Sequence, residues 1–274
     1  MPHEINTRSP SLSGLVLTVL LFFSAHASAE GVSAERLTWA GVKLVSDDTT
    51  VFIDAVGTDL WDGEAPEGLV PVTAETGRRY ALVTHAHNDH FDVDTLKEVL
   101  GERGYVICHE SIAVYVASRG LRVIPAKDFV PVVRGDFVFT AVPAVDGFGS
   151  EQVSWVVTVD DKRLLHGGDT LWHGGWPTVN KLFGPFDAVF LPINGARVQQ
   201  DPMPVSTLVQ TPSQAIDVAL LLRAKVLVPI HYGLNDPPNY FEVDEPLATL
   251  LAEAEERGQT VQHLLPGEEL VWVE

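Results

Sequence analysis

The chain has 274 residues, 46% of them hydrophobic, which is enough for one large domain with a substantial core and does not require two. Its 18 Lys and Arg stand against 37 Asp and Glu, a formal charge of −19 that repels polyanions and argues against a nucleic-acid partner. The single cysteine, Cys108, excludes an internal disulfide, and its place after the apolar run Tyr105-Val106-Ile107 reads as a buried thiol.

Residues 1–29 read as an export signal. Arg8 precedes an apolar run from Leu12 to Phe23, and Ala27-Ser28-Ala29 supplies a small-x-small cleavage site before Glu30. That run is shorter than a membrane-spanning helix, so the expectation is a mature protein of residues 30–274, exported to the periplasm or secreted. An uncleaved anchor is the lesser alternative, and no other membrane association is expected. Residues 37–45 and 50–53, apolar and β-branched around Ser46-Asp47-Asp48, predict an opening hairpin that ends at Asp54. Residues 59–71, rich in Gly, Pro and acid, predict a surface loop near the site entrance.

The run Tyr80-Ala81-Leu82-Val83 then delivers Thr84-His85-Ala86-His87-Asn88-Asp89-His90, three imidazoles and a carboxylate within one short loop. His85 and His87, two apart, can grip one metal ion, while Asp89 and His90 turn toward a second. Such nitrogen and oxygen donors suit zinc, manganese or iron. A helix is predicted over residues 93–100, closed by Gly101 and Gly104, followed by a strand and a short helix over 111–118. His109 and Glu110 between them read as a helix start rather than as ligands. Strands are predicted at 137–142, 153–159, 163–166, 188–191, 226–230 and 270–273, with helices from Thr211 and Glu245. Thr211-Pro212-Ser213-Gln214 has an N-cap Thr, Pro at the first helical position and Gln three after the cap, which is a capping box.

The spacing His85-x-His87-x-Asp89-His90 resembles the metal-binding motif of the metallo-β-lactamase superfamily, and the later motifs fall in that family's order. The resemblance implies an α/β fold, a four-layer αββα sandwich with one or two metals at one edge of the sheets. It gives Asp169, in His166-Gly167-Gly168-Asp169-Thr170, the role of the carboxylate that bridges two ions. His231, in Val228-Pro229-Ile230-His231-Tyr232-Gly233, corresponds to the family's last ligand. His166 reads as a supporting or core histidine.

The family's third histidine for the first metal is missing. Asp146, in Pro143-Ala144-Val145-Asp146-Gly147, is expected to replace it and to shift preference toward manganese or iron. His173 is a candidate general acid or oxyanion partner, Trp172 and Trp176 a candidate apolar wall, and Arg197 a candidate anchor for a substrate carboxylate or phosphate. Two divalent ions, zinc first, with manganese or iron as alternatives, would share a hydroxide that attacks an ester, lactone, amide or phosphodiester of a small molecule, with Asp89 as proton shuttle. Within the superfamily the His231-Tyr232-Gly233 ending and the Thr211-Pro212 helix look most like the group of ascorbate-phosphate lactonases and N-acyl-phosphatidylethanolamine phospholipase D-like hydrolases. Cys108 is not placed to serve as the cysteine ligand of several β-lactamases. A di-iron oxidoreductase typically carries glutamate where this chain has His87. A metal-stabilised binding or sensor protein with vestigial catalysis is the remaining alternative. Oligomeric state is not legible.

Overall fold

Alternation of β-branched strands with short amphipathic helices builds the chain. The computed structural model describes residues 1, 31–57, 69–73, 76–198, 207–234 and 240–274. The expected export signal and most of the acidic loop at 59–71 therefore lie outside the described residues. The first half runs β1 (Ser33–Arg36), β2 (Val42–Ser46), β3 (Thr49–Ile53), β4 (Arg78–Val83), α1 (Val93–Leu100), β5 (Tyr105–His109), α2 (Glu110–Ser118) and β6 (Val123–Ala126). The second half runs β7 (Val132–Arg134), β8 (Phe137–Pro143), β9 (Val153–Val159), β10 (Lys162–His166), α3 (Trp176–Phe183), β11 (Ala188–Pro192), β12 (Arg197–Val198), α4 (Pro212–Leu221), β13 (Val226–Ile230), β14 (Tyr240–Phe241) and α5 (Pro246–Arg257).

Two six-stranded sheets result, ordered β1-β2-β3-β4-β5-β6 and β13-β11-β10-β9-β8-β7, with β12 and β14 as a separate pair. In the first, β3 to β6 run parallel and β1 to β3 antiparallel; in the second, β10, β11 and β13 are parallel and β7 to β10 antiparallel. Because side chains alternate across a strand, each sheet feeds two cores. Val42, Leu44, Val51 and Ile53 meet Phe137, Phe139, Trp155 and Val157 between the sheets. Phe52, Ala81 and Val83 face the other way onto Leu96 and Val99 of α1. On the far side, Val142, Val156 and Leu191 pack on Trp176 and Val179 of α3 and on Ala215 and Ile216 of α4. The layers are helix, sheet, sheet, helix, the αββα sandwich that the resemblance implied. Among the described residues no helix is long and apolar enough to cross a membrane.

The capping box of α4 is realised. Thr211 Oγ1 accepts the Gln214 N–H at 3.4 Å, and Gln214 Oε1 accepts the Thr211 N–H at 3.1 Å. Two expectations are corrected. The strand foreseen over 37–45 is broken by a turn, closed by Leu37 N–H to Gly41 O at 2.8 Å, so only Val42–Ser46 pairs with β3. The closing strand at 270–273 forms no ladder; Leu270 N–H donates to Ala34 O at 2.7 Å, and the tail lies along β1. Trp176–Phe183, where no element was predicted, is the helix α3, with Pro177 in its first turn, where a missing N–H costs nothing.

Candidate metal centre

The carboxyl ends of β4, β10 and β13 open at one edge of the sandwich and place the histidine loop beside Asp169 and His231. The edges of the two sheets are stitched there: Val153 N–H donates to Thr84 O at 3.1 Å, and Trp155 Nε1 to Val83 O at 3.1 Å. Gly168 lets the loop after β10 approach. It has φ +62, and a Cβ there would fall 2.9 Å from Thr84 Cβ, so only glycine fits both the backbone and the space. Gln152 Nε2 donates to Asp169 O at 2.6 Å and holds the carboxylate-bearing residue in place.

Two groups of ligand atoms converge and share Asp89: His85, His87 and Asp89, and Asp89, His90, Asp169 and His231. Asp169 divides its oxygens between them. Oδ1 lies 3.0 Å from both His90 Nε2 and His231 Nε2, while Oδ2 lies 3.8 Å from His85 Nε2. Asp89 Oδ2 is 3.5 Å from both His90 Nε2 and His231 Nε2. His85 Nε2 and His87 Nδ1 are 2.9 Å apart. His90 Nε2, His231 Nε2 and Asp169 Oδ1 are buried, and none completes a directed hydrogen bond. Buried polar atoms are ordinarily satisfied, so three left open around one point fit a bound cation.

The outer ring nitrogens are fixed from behind, which leaves the inner ones as donors. His90 Nδ1 meets the buried Asp54 Oδ2 at 2.8 Å, and Asp54 also accepts from Thr84 N–H at 2.9 Å and Thr84 Oγ1 at 2.6 Å. His231 Nδ1 lies 3.3 Å from Asn194 Oδ1. The orientation of that amide is set because its Nδ2 donates to Tyr240 Oη at 2.6 Å and Glu242 Oε1 at 3.1 Å. His85 Nδ1 lies 3.0 Å from Thr84 Oγ1, and His87 Nε2 3.0 Å from Ser150 Oγ. Trp39 Nε1 donates to Asp89 Oδ2 at 3.1 Å, and its ring lies 4.2 Å from that of His231. Trp39, Asp54 and His231 have φ of 59, 44 and 55. Left-handed backbone in non-glycine residues costs about 1–3 kcal/mol each and collects where a site needs it.

Charge follows from the same geometry. Burial, with His90 beside it, pushes His85 down to about 3, so its ring is neutral and could donate to a metal. Burial also works against charge on His231, yet Asp169 and Asp89 outweigh it and push that histidine up to about 9. His90 is likewise raised against its burial, chiefly by Asp169 and Asp89. The Asp169 carboxyl, which burial alone would raise, is held well below its usual range by His231 and His90.

Several expected residues go elsewhere. The assignment of Asp146 as third ligand to the first metal is corrected: its oxygens accept the N–H groups of Phe148 at 2.9 Å and Ser150 at 3.2 Å and close a turn. That turn brings Ser150, not a carboxylate, to His87. It packs through Gly147, where a Cβ would lie 2.5 Å from Leu208 Cα. His173 does not line the cavity at the centre. It lies on the Trp176 ring at 4.4 Å, and its Nδ1 accepts the Gly175 N–H at 3.1 Å ahead of α3. Trp176 is core and Trp172 is exposed, so neither forms a wall. His166 is structural, its Nε2 2.7 Å from Ala40 O. His109 caps α2. Sequence reasoning passed over Trp39, Asn194, Ser150 and Tyr240 and noted Asp54 only as a strand end. The signal for Asp54 was a carboxylate closing an apolar strand just before the metal loop.

The chain matches the model of the beta-lactamase superfamily domain over residues 49–232. It is 30% identical over 213 residues to a UPF0173 metal-dependent hydrolase of Rubrobacter xylanophilus, covering 69% of this chain and 77% of the relative. Among solved structures it is similar to Igni18, a metallo hydrolase of Ignicoccus hospitalis, with a TM-score of 0.67 at 19% identity, covering 89% of this chain and 99% of that one. CmlA, a diiron β-hydroxylase of Streptomyces venezuelae, aligns with a TM-score of 0.70 at 18% identity, covering 88% of this chain and 54% of that one.

Proposed function

This chain belongs to the beta-lactamase superfamily, and on that premise we propose that it is a hydrolase that works with two divalent metal ions, zinc first. The observation that carries the reading is the division of the Asp169 carboxylate, Oδ1 toward His90 and His231 and Oδ2 toward His85. His85, His87 and Asp89 would hold one ion; His90, His231 and Asp89 the other; Asp169 would serve both. Bound there, such ions acidify a water and polarise the group under attack.

The chain's own residues supply the rest. Asp54 and Asn194 hold the His90 and His231 rings with Nε2 inward. Trp39 fixes Asp89 and shields it from bulk water. Asp89 lines the cavity in which a substrate would lie; it receives the proton of the attacking water and passes it to the leaving group. His173, which does not reach the cavity, takes no part. The substrate belongs among esters, lactones, amides and phosphodiesters of small molecules.

The test is turnover of one substrate from each class by chelator-stripped protein with and without zinc, manganese or iron, beside Asp169→Ala. The expected result is metal-dependent hydrolysis of at least one class, lost in the variant together with bound metal. Hydrolysis that survives complete metal removal would overturn the reading. Iron-dependent oxygen consumption without hydrolysis would replace it by the oxidoreductase fold-mate's chemistry.

A further inference from the structure

We propose that the substrate is an uncharged acyl compound, an ester or lactone, whose aliphatic chain fills the cavity next to the metal centre; this rests on the hydrolase reading above. His87, Asp89, Asp169 and His231 form one wall of a cavity of about 420 Å³, a size typical of small-molecule sites. Apart from Asn88 and Ser150, the rest of the lining is aliphatic or aromatic: Phe148, Ala196, Val198, Leu208, Val209 and Tyr240. These residues come from three places, the 146–149 turn, β12 with β14, and residues 208–209 ahead of α4. Leu208 N–H to Ala196 O at 2.7 Å and Gly147 N–H to Leu208 O at 3.0 Å lock them to one another. The pocket is thus part of the fold, and the same turn that turned Asp146 away from the metals supplies Phe148.

No Lys or Arg is among the described residues that line the cavity. The nearest candidate is Arg197, and strand alternation removes it. Ala196 and Val198 on either side face the metal cavity, while Arg197 lines a second cavity with Glu242 and Asp244. A tail that carries a carboxylate or phosphate away from the metals would thus enter a low-dielectric pocket without the planar donor pair that such anions need, in a chain of formal charge −19. A hydrocarbon chain instead gains burial. In the reaction the water oxygen bonds to the carbonyl carbon, the bond from that carbon to the alkoxy oxygen breaks, and the water's proton ends on the alkoxide. An ester yields one acid and one alcohol, a lactone one hydroxy acid, and nothing further is consumed.

The experiment uses the full chain reconstituted with zinc and the p-nitrophenyl esters of acetate, butyrate, hexanoate and octanoate, with bis-p-nitrophenyl phosphate and the monoester of adipate as anionic controls. The expected kcat/KM rises roughly fourfold per methylene while the chain fits, and hexanoate exceeds the isolength adipate. Val198→Trp, which fills the cavity, should lose the rise with chain length while its zinc content stays. Calorimetry with 2-heptanone against acetone, ketones that hydrolysis cannot cleave, reads the cavity in the wild-type protein without turnover, so a variant that fails to fold does not decide the matter. Metal-dependent turnover that is flat with chain length, or that favours either anion, overturns the proposal and leaves the hydrolase reading standing. Absence of metal-dependent turnover on all these compounds and on an amide and a lactone overturns the hydrolase reading; the ketone titration then judges the cavity alone, and equal binding of the two ketones overturns it as well.

Discussion

At the scale of single residues, the centre depends on groups that touch no metal. Asp54 is buried, holds His90 Nδ1 and satisfies two donors of Thr84. Asp54→Asn should keep the fold, since an amide can still meet part of this network, but should weaken metal binding about 10–100-fold, the usual loss for such a supporting group. Competition with a coloured chelator measures it, and unchanged affinity would mean that the His90 ring is held by packing alone. Protonation gives a second prediction. His231 is pushed up to about 9 by Asp169 and Asp89 in the absence of metal, so the folded chain holds more proton there than the unfolded chain. The stability this contributes is fully present below about pH 6.5 and is lost as pH rises through about 9. A cation must displace that proton, so zinc added to stripped protein at pH 7 should release protons, and apparent affinity should climb with pH up to about 9. Titration in buffers of different ionisation enthalpy counts them; zero release would contradict it. The histidine cluster was legible in the sequence because four potential ligands fall within one loop. Trp39 and Asn194 were not, because a turn after β1 and the loop after β11 bring them from far along the chain to a point that no local pattern marks. Asp146 misled for the complementary reason: its place in the order of motifs is that of a ligand, but two nearby N–H groups hold its oxygens.

At the scale of elements, strands and helices with strong local patterns were legible and those defined by tertiary pairing were not. β9, β13 and α1 match their expected bounds because apolar periodicity and caps specify them locally. The short strands β6, β7, β12 and β14 exist only through partners elsewhere in the chain. The same distinction explains α4, whose start the capping box gave away. Thr211→Ala should cost about 1 kcal/mol by loss of the cap, which lowers Tm by roughly 2–4 °C in a domain of this size. Thr211→Ser should restore most of it. A thermal melt of the metal-loaded protein decides, and no shift in Thr211→Ala would mean that Pro212 and burial of Ala215 and Ile216 alone hold the helix start.

At the scale of the whole molecule, the sandwich acts as a vise for charge. Carboxylates, rare in protein interiors unless paired, are gathered at one sheet edge, and Asp54, Asp89 and Asp169 are all nearly inaccessible to solvent. Only cations, protons or metal, make that arrangement stable. Loss of metal therefore affects the joint between the two sheets, where β4 and β10 deliver their ligands. Titration of chelator-stripped protein with zinc, with bound metal and hydrolysis followed together, tests the central claim most directly. The account predicts saturation at two ions per chain, activity that becomes full only with the second, and binding of fewer than two in Asp169→Asn. Saturation at one ion per chain with full activity would contradict it.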